Sequence, residues 1–142
     1  SKMNEPISCV PGNDGYCYVV EYGNHSVRRF KVGGNIETVA GGNGGGYSGD
    51  NGNARKAKFN RPHGIDVKNN VVYVADMNNH AVRKFTVGGN IITLAGGRGA
   101  GYSRDNIHPK KSLLYTPTDV FVYNGFVYVT EYHNSTIRRF GE

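Results

Sequence analysis

Residues 73–85 read Tyr-Val-Ala-Asp-Met-Asn-Asn-His-Ala-Val-Arg-Lys-Phe, and closely related strings occupy residues 18–30 and 128–140. Successive copies begin 55 residues apart. A unit that recurs at such a spacing does not bury its own hydrophobic faces and stacks on its copies, as in solenoids and propellers. The repetition therefore decides the architecture before any single residue is interpreted.

Each period predicts four short antiparallel strands. In the middle copy the runs are rich in β-branched and aromatic residues, and no helical period competes with them. Asn69-Asn70 and Gly88-Gly89-Asn90 tolerate positive φ, as tight hairpin turns require. We expect a four-stranded meander at residues 64–67, 71–75, 81–85 and 90–95.

Both faces of these strands are apolar, as Val72 and Val74 beside Tyr73 and Ala75 illustrate. Sheets that bury both faces stack radially into a propeller. The predicted fold is an all-β propeller with about three four-stranded blades, the last lacking its outer strand. One domain over residues 1–142 would contain blades at about 6–42, 62–97 and 117–140.

Three blades do not close a ring, since propellers have about four to eight. We therefore expect either a homodimer that completes a six-bladed ring or a piece of a longer propeller. The sequence has no apolar run as long as a membrane span and no secretory pattern at its N-terminus, so no membrane partner is expected.

Two long spacers, residues 43–61 and 98–116, join the blades. Strand parity places both on the same face of the disc as the loops between the second and third strands. Connections of about 20 residues are unusual in a compact domain and are often functional. The elaboration of the chain is thus predicted on one face.

The net charge of +6 lies in these spacers. Each carries four cations and one acid, Asp50 or Asp105, which gives +3 apiece and leaves nine cations balancing nine acids elsewhere. A localised basic patch favours an anionic partner, although solvated loops have the same composition.

Aromatic rings are interleaved with these cations. Cations and rings together suit single-stranded nucleic acid, and Tyr and Arg are equally favoured anchors of protein interfaces. The candidate partner-binding residues are Tyr47, Arg55, Lys56, Lys58, Arg61, His63, Arg98, Tyr102, Arg104, Lys110, Lys111 and Tyr115, with Phe59 as a further ring.

The repeated string resembles the NHL repeat, as do Pro62-His-Gly-Ile-Asp-Val67 and Gly46-Tyr-Ser-Gly-Asp50. The third copy departs from it, with Asn134-Ser135 in place of Asn-His. The resemblance implies a propeller that is typically six-bladed. Some similar propellers bind RNA on a basic face, others bind proteins, and a few are zinc-dependent peptidyl-hydroxyglycine lyases.

An acid, an Asn and an Arg recur in every copy. The acid ends the second strand, where it can accept bonds from the next loop and pair with the Arg of the third strand. One such set per blade indicates structural clips rather than catalysis. They are Glu21, Asn24, Arg28, Asp76, Asn79, Arg83, Glu131, Asn134 and Arg138.

Three other patterns resemble phosphate, calcium or zinc sites but lack a feature that each site requires. The runs 41–46 and 96–101 are Gly-rich but precede no helix, and Asp50-Asn-Gly-Asn53 lacks the Glu of a calcium loop. Zinc catalysis needs about three ligands, whereas the inner strands supply only His63, with Ile7 and Thr118 at its counterpart positions. No catalytic residue, metal or cofactor is predicted.

The two cysteines, Cys9 and Cys17, flank a turn and either face each other across a hairpin or remain as free, buried thiols. In sum, the sequence predicts a non-catalytic scaffold that binds a protein or peptide through the face with the basic spacers. Single-stranded RNA is the alternative partner, and the zinc lyase is a distant third.

Overall fold

A computed structural model describes residues 2–142. It contains three antiparallel sheets in chain order and no α-helix among the described residues. The first sheet comprises β1 (Pro6–Pro11), β2 (Cys17–Glu21), β3 (Ser26–Phe30) and β4 (Glu37–Gly41). The second comprises β5 (Pro62–Lys68), β6 (Val71–Asp76), β7 (Ala81–Thr86) and β8 (Ile91–Gly96), and the third β9 (Pro117–Tyr123), β10 (Phe126–Glu131) and β11 (Thr136–Gly141).

Within each sheet, neighbours in sequence are neighbours in space. The tight turns have the backbone that their composition predicts: φ is 50° at Asn69 and 63° at Asn70, then 49° at Asn124 and 77° at Gly125. Positive φ at both central residues matches the twist of a two-residue hairpin. The predicted propeller-type meanders, eleven strands in all, are confirmed.

The sheets pack face to face, and β6, whose two faces are both apolar, contributes side chains to both interfaces. Val72 and Val74 enter the core shared with the first sheet, beside Phe59. Tyr73 and Ala75 enter the core shared with the third sheet. Alternation along one buried strand thus supplies both interfaces, as radial stacking requires.

The spacers fold back onto the blades. In the first spacer, Asn51 donates its backbone N–H to the Ile91 carbonyl, and Ile91 donates to that of Gly52, at 2.7 and 2.9 Å. Each spacer also has a short 3-10 turn, Ala54–Lys56 or Pro109–Lys111, whose first N–H groups bond to Asn53 or His108. Phe59 is fully buried, so the prediction that it offers a ring for stacking is wrong.

The inner strands β1, β5 and β9 share a local irregularity. Pairing with the second strand skips Ile7, His63 and Thr118, which bulge at the same position of each blade. His63 Nδ1 lies 2.9 Å from the Thr118 carbonyl oxygen and so joins the second blade to the third.

Of the two alternatives for the cysteines, the one that places them opposite each other across the hairpin is wrong. Cys9 lies opposite Val19, and Cys17 lies opposite Pro11, because the hairpin turn is centred one residue later than the sequence suggested. Both thiols are free; Cys9 is exposed and Cys17 is half-buried, so neither is a core residue.

The third sheet leaves one edge and one face uncovered within the described residues. The outer edge of β11 has no partner strand. Phe121 and Ile137 are 58% and 74% exposed, and Phe121 stacks on Tyr123 with ring centroids 6.3 Å apart. No described helix is long and apolar enough to cross a membrane.

Candidate partner-binding surface

Arg83 of β7 is the centre of the best-formed acid–Asn–Arg set. Its side chain is fully buried and lies 3.4 Å from the Asp76 carboxylate. It also donates to the carbonyls of Lys58 and Ser48, at 2.7 and 2.8 Å, and to Asp50 at 2.9 Å. The guanidinium thus holds the first spacer against the second blade.

Asp76 connects the same spacer to β6. It accepts bonds from Asn79 Nδ2 at 2.8 Å and from the Asn60 backbone N–H at 2.9 Å. Burial raises the pKa of Asp76 to about 6, although Asn79, Asn60 and Arg83 favour its charged form. Asn60 lies in the first spacer and Asn79 in the loop after β6, so this carboxylate holds two loops in place.

The other two sets differ from this one. Glu131 accepts from Asn134 Nδ2 at 2.9 Å and from the Tyr115 backbone at 2.8 Å, but its distance to Arg138 is 3.9 Å. In the first blade Glu21 accepts from Asn24 at 3.0 Å and from the Asn4 backbone at 2.7 Å. Its other carboxylate oxygen lies 3.4 Å from Arg28 Nε.

His25 and His80 link consecutive blades. Both adopt left-handed backbone conformations, with φ of 52° and 51°. Nδ1 of each ring accepts a 2.9 Å bond from a backbone N–H just ahead of the next inner strand, that of Arg61 or Thr116. The third copy places Ser135 at this position, also with positive φ.

The twelve candidate partner-binding residues do not form one cluster. Arg61 lies over the Tyr22 ring, 5.0 Å from its centroid, and His63 approaches the same ring. Tyr115 stacks on His133 at 4.6 Å. Tyr102 lies near Arg138 of the third blade. Arg55 donates to the Gly41 carbonyl at 2.9 Å and so stays beside the first blade.

One pocket brings the two spacers together. It has a volume of about 270 Å³ and lies over β8. The first spacer contributes Tyr47, Asp50 and Asn51, β8 contributes Thr93, and the second spacer contributes Arg98 and Lys110. Three of the candidate residues, Tyr47, Arg98 and Lys110, therefore share a concave site, and the other nine lie outside it.

The spacer cations differ from the strand arginines in their partners. Within residues 2–142, every ion pair is made by Arg28, Arg29, Arg83 or Arg138 of the third strands. Asp50 and Asp105, the spacer acids, face Arg83 and Arg138. The eight spacer cations consequently have no acidic partner among the described residues.

Several residues of this face were missed by the sequence analysis. Thr93 and Asn51 line the pocket, and Tyr132, 69% exposed, lies beside His133 near Tyr115. Thr93 occupies the same repeat position as Thr38. This repetition could have identified Thr93 only if it had been known that the position faces the spacer. Among described residues, no three His, Cys, Asp or Glu side chains are grouped as a metal site would need.

Burial changes the proton affinity of three groups on this face. The pKa of His25 is lowered by burial and then by Arg61, and that of His80 by burial and then by His133. The pKa of Tyr47 is raised, chiefly because its ring is partly buried. Neutral imidazoles are the form that accepts the bonds from Arg61 and Thr116.

Comparison with known proteins supports the repeat assignment. The NHL repeat model matches residues 59–85. NHL repeat-containing protein 2 of Gallus gallus is 37% identical over 82 residues, which cover 57% of this chain and 11% of that protein. The chain thus spans about a tenth of that curated relative's length.

Solved structures share the fold. A protein of unknown function from Bacteroides thetaiotaomicron superposes with a TM-score of 0.77 at 22% identity, over 90% of this chain and 32% of its own. An auxiliary nutrient binding protein from Bacteroides ovatus gives 0.69 at 23%, over 88% and 34%. A putative phosphatase from Bacteroides thetaiotaomicron gives 0.67 at 25%, over 88% and 32%.

The chain spans about a third of each of these structures, and they establish its architecture rather than its activity. The matched repeat is the middle copy of the string that recurs through the sequence. Residues 59–85 therefore form an NHL repeat, and the chain has an all-β, propeller-type fold.

Proposed function

We propose that the chain is a non-catalytic scaffold that binds an acidic protein or peptide through the face formed by its two spacers. The observation that carries the proposal is the set of eight exposed spacer cations without an acidic partner within residues 2–142. Rim charges of this kind steer an oppositely charged partner and set its orientation.

The rigid seating of the spacers supports binding. Arg83 and the bonds to Ile91 hold the first spacer in place, so its cations are presented without the full entropic cost of ordering a free loop. The contacts that hold it use Asp50, the acid that would otherwise weaken the basic patch.

The aromatic rings favour a protein partner over single-stranded RNA. Bases stack on rings that are free on one face. Of the four rings interleaved with the cations, Phe59 is buried and Tyr115 already stacks on His133. Two of the four, Tyr47 and Tyr102, remain 41% and 56% exposed.

A salt titration compares the two partners. Binding of a glutamate-rich peptide and of a single-stranded RNA is measured between 50 and 200 mM salt, a range over which polyphosphate binding changes by orders of magnitude. The variant Lys110→Ala with Lys111→Ala is expected to weaken the peptide complex. Lys31→Ala with Lys68→Ala removes the same charge from the opposite, tight-turn face and should have no effect.

Tighter binding of RNA than of the peptide, with a steep salt slope that flattens in the Lys110, Lys111 variant, would replace the proposed partner with RNA. Equal loss in both double variants would instead indicate a general effect of net charge and would reject the proposed face.

We also propose that the uncovered face of the third blade is covered by another blade. Phe121, Tyr123 and Ile137 are more than half exposed there, and apolar patches of this kind mark interfaces. A second copy of this chain, completing a ring of six blades, is the occupant that the sequence favours, with the remainder of a longer propeller as the alternative.

A further inference from the structure

We propose that the pocket over β8 binds a phosphorylated serine or threonine side chain of the partner. This deepens the proposed function and rests on it, because the pocket lies between the two spacers that form the partner-binding face. The inference depends on which hydrogen-bonding groups in the pocket are already used.

On one wall of the pocket, the side chains of Tyr47, Thr93 and Asp50 form a continuous chain of hydrogen bonds. Thr93 donates its hydroxyl to Asp50 Oδ2 at 2.6 Å, so the 2.6 Å contact between Tyr47 and Thr93 must have the Tyr47 hydroxyl as donor. Asp50 Oδ1 accepts from Arg83 at 2.9 Å. Every hydroxyl proton of this wall is therefore used, and the charge of Asp50 faces that of Arg83.

The opposite wall has unused donors. Arg98 lies two residues after the end of β8, and Lys110 lies in the second 3-10 turn. Both side chains are exposed, and neither makes an ion pair or a side-chain hydrogen bond among the described residues. The two side chains of this wall are thus cationic and carry donors only, which favours an anion that accepts several bonds.

The number of cations selects the kind of anion. A phosphate monoester carries about −1.5 to −2 charges at neutral pH and three acceptor oxygens. Arg98 offers a planar fork and Lys110 a point charge, the two modes in which proteins hold phosphate. A single carboxylate would neutralise one of the two cations and fill little of a pocket of about 270 Å³.

The test uses three end-blocked tripeptides, Gly-phosphoserine-Gly, Gly-Ser-Gly and Gly-Glu-Gly, titrated into the whole chain and followed by amide chemical shifts. We expect saturable shifts at Gly97, Arg98 and Thr93 with the phosphopeptide, no saturation with the serine peptide, and at least tenfold weaker binding of the glutamate peptide. Loss of one charge-assisted contact corresponds to about tenfold or more in affinity.

Variants locate the site. Arg98→Ala and Lys110→Ala should each weaken phosphopeptide binding about tenfold. Lys31→Ala and Lys68→Ala remove the same charge from the opposite, tight-turn face and should leave the affinity unchanged. All four side chains are exposed, so the folded spectrum is expected to persist in every variant.

Two results would overturn the inference: equal affinities of the phosphoserine and glutamate tripeptides, or equal losses in the pocket variants and their controls. Either result, together with retained binding of the glutamate-rich peptide, would leave the proposed function standing with a general anionic site. Failure of both the phosphopeptide and the glutamate-rich peptide to bind would reject the proposed function itself.

Discussion

His80 accepts, through Nδ1, a 2.9 Å hydrogen bond from the backbone N–H of Thr116, the residue that precedes the inner strand of the third blade. His25 makes the same bond to Arg61 ahead of the second blade. The imidazole of one repeat thereby sets the entry of the chain into the next. A protonated ring has no acceptor nitrogen, so this link depends on pH.

Stability should therefore fall in mild acid. The folded pKa values of His25 and His80 lie below the unfolded value of about 6.5, so the unfolded state binds protons first. Their contribution is complete above about pH 6.5 and is lost as the pH falls through that value toward the folded pKa. Urea unfolding between pH 8 and pH 5 measures it.

Asp76 acts in the opposite sense, since its pKa is raised to about 6 and its protonation on folding favours the native state as pH falls below that value. The double variant His25→Gln, His80→Gln retains a side-chain acceptor that does not titrate and leaves Asp76 unchanged. We expect a smaller loss of stability in acid in this variant. Identical pH profiles for the two proteins would refute the histidine link.

Loss of the Arg83 side chain should be among the most destabilising single changes in the chain. Arg83→Met leaves the Asp76 carboxylate without its cationic partner and the carbonyls of Ser48 and Lys58 without the guanidinium donor. Removing one partner of a buried pair costs about 3–5 kcal/mol.

The matched change Arg138→Met removes longer contacts, of 3.3 to 3.9 Å, from a side chain that is 13% exposed. We expect a cost of roughly 1 kcal/mol there. Denaturant midpoints of the two variants compare their losses of unfolding free energy. Equal losses would show that the burial of Arg83 does not determine how much its side chain contributes to stability.

Gly96, at the end of β8, is required where the chain turns toward the second spacer. Its φ is +70°, and a Cβ would collide with the His80 carbonyl oxygen. Gly88 has a similar φ of +79° but open space around it. Gly88→Ala should cost about 1–2 kcal/mol for backbone strain alone.

Gly96→Ala should cost more than that, because the collision is with backbone atoms that do not move aside. Thermal unfolding of the two variants separates close approach from backbone strain. A Gly96→Ala protein as stable as the Gly88→Ala protein would contradict the steric argument.

Sedimentation equilibrium tests the uncovered third blade. If a second copy covers it, the mass is twice 15.5 kDa and Phe121→Glu shifts the population to the monomer. Lys68→Glu, at the opposite turn face of the second blade, serves as the control. A monomer at all concentrations would rule out self-assembly and leave a longer propeller as the source of the covering blade.

Much of the fold follows from local sequence. Alternation at residues 71–76 and the Asn69-Asn70 turn predict β6 and its hairpin, because side-chain direction and positive φ are properties of a few neighbouring residues. The predicted cross-strand position of the cysteines was wrong because it depended on where the hairpin turn is centred. Moving a turn by one residue changes every cross-strand pair.

The candidate surface was less predictable. The cations were visible in the sequence, but nothing local showed that Phe59 enters the core while Tyr47 remains outside. Nor did it show that Thr93, 46 residues after Tyr47, completes the same wall. Such contacts depend on the path that the spacer takes over the next blade.

The sequence by itself determined the repeated architecture and the concentration of charge between the copies, because both are written in short patterns and simple counts. Only the tertiary structure decided which charges are available. Asp50 lies among the spacer cations in the chain yet is bonded to Arg83, 33 residues later, so it does not neutralise them. The pairing of Asp50 with Arg83 results from the packing of the spacer on the second blade. A buried guanidinium there needs hydrogen-bond acceptors for several N–H groups at once.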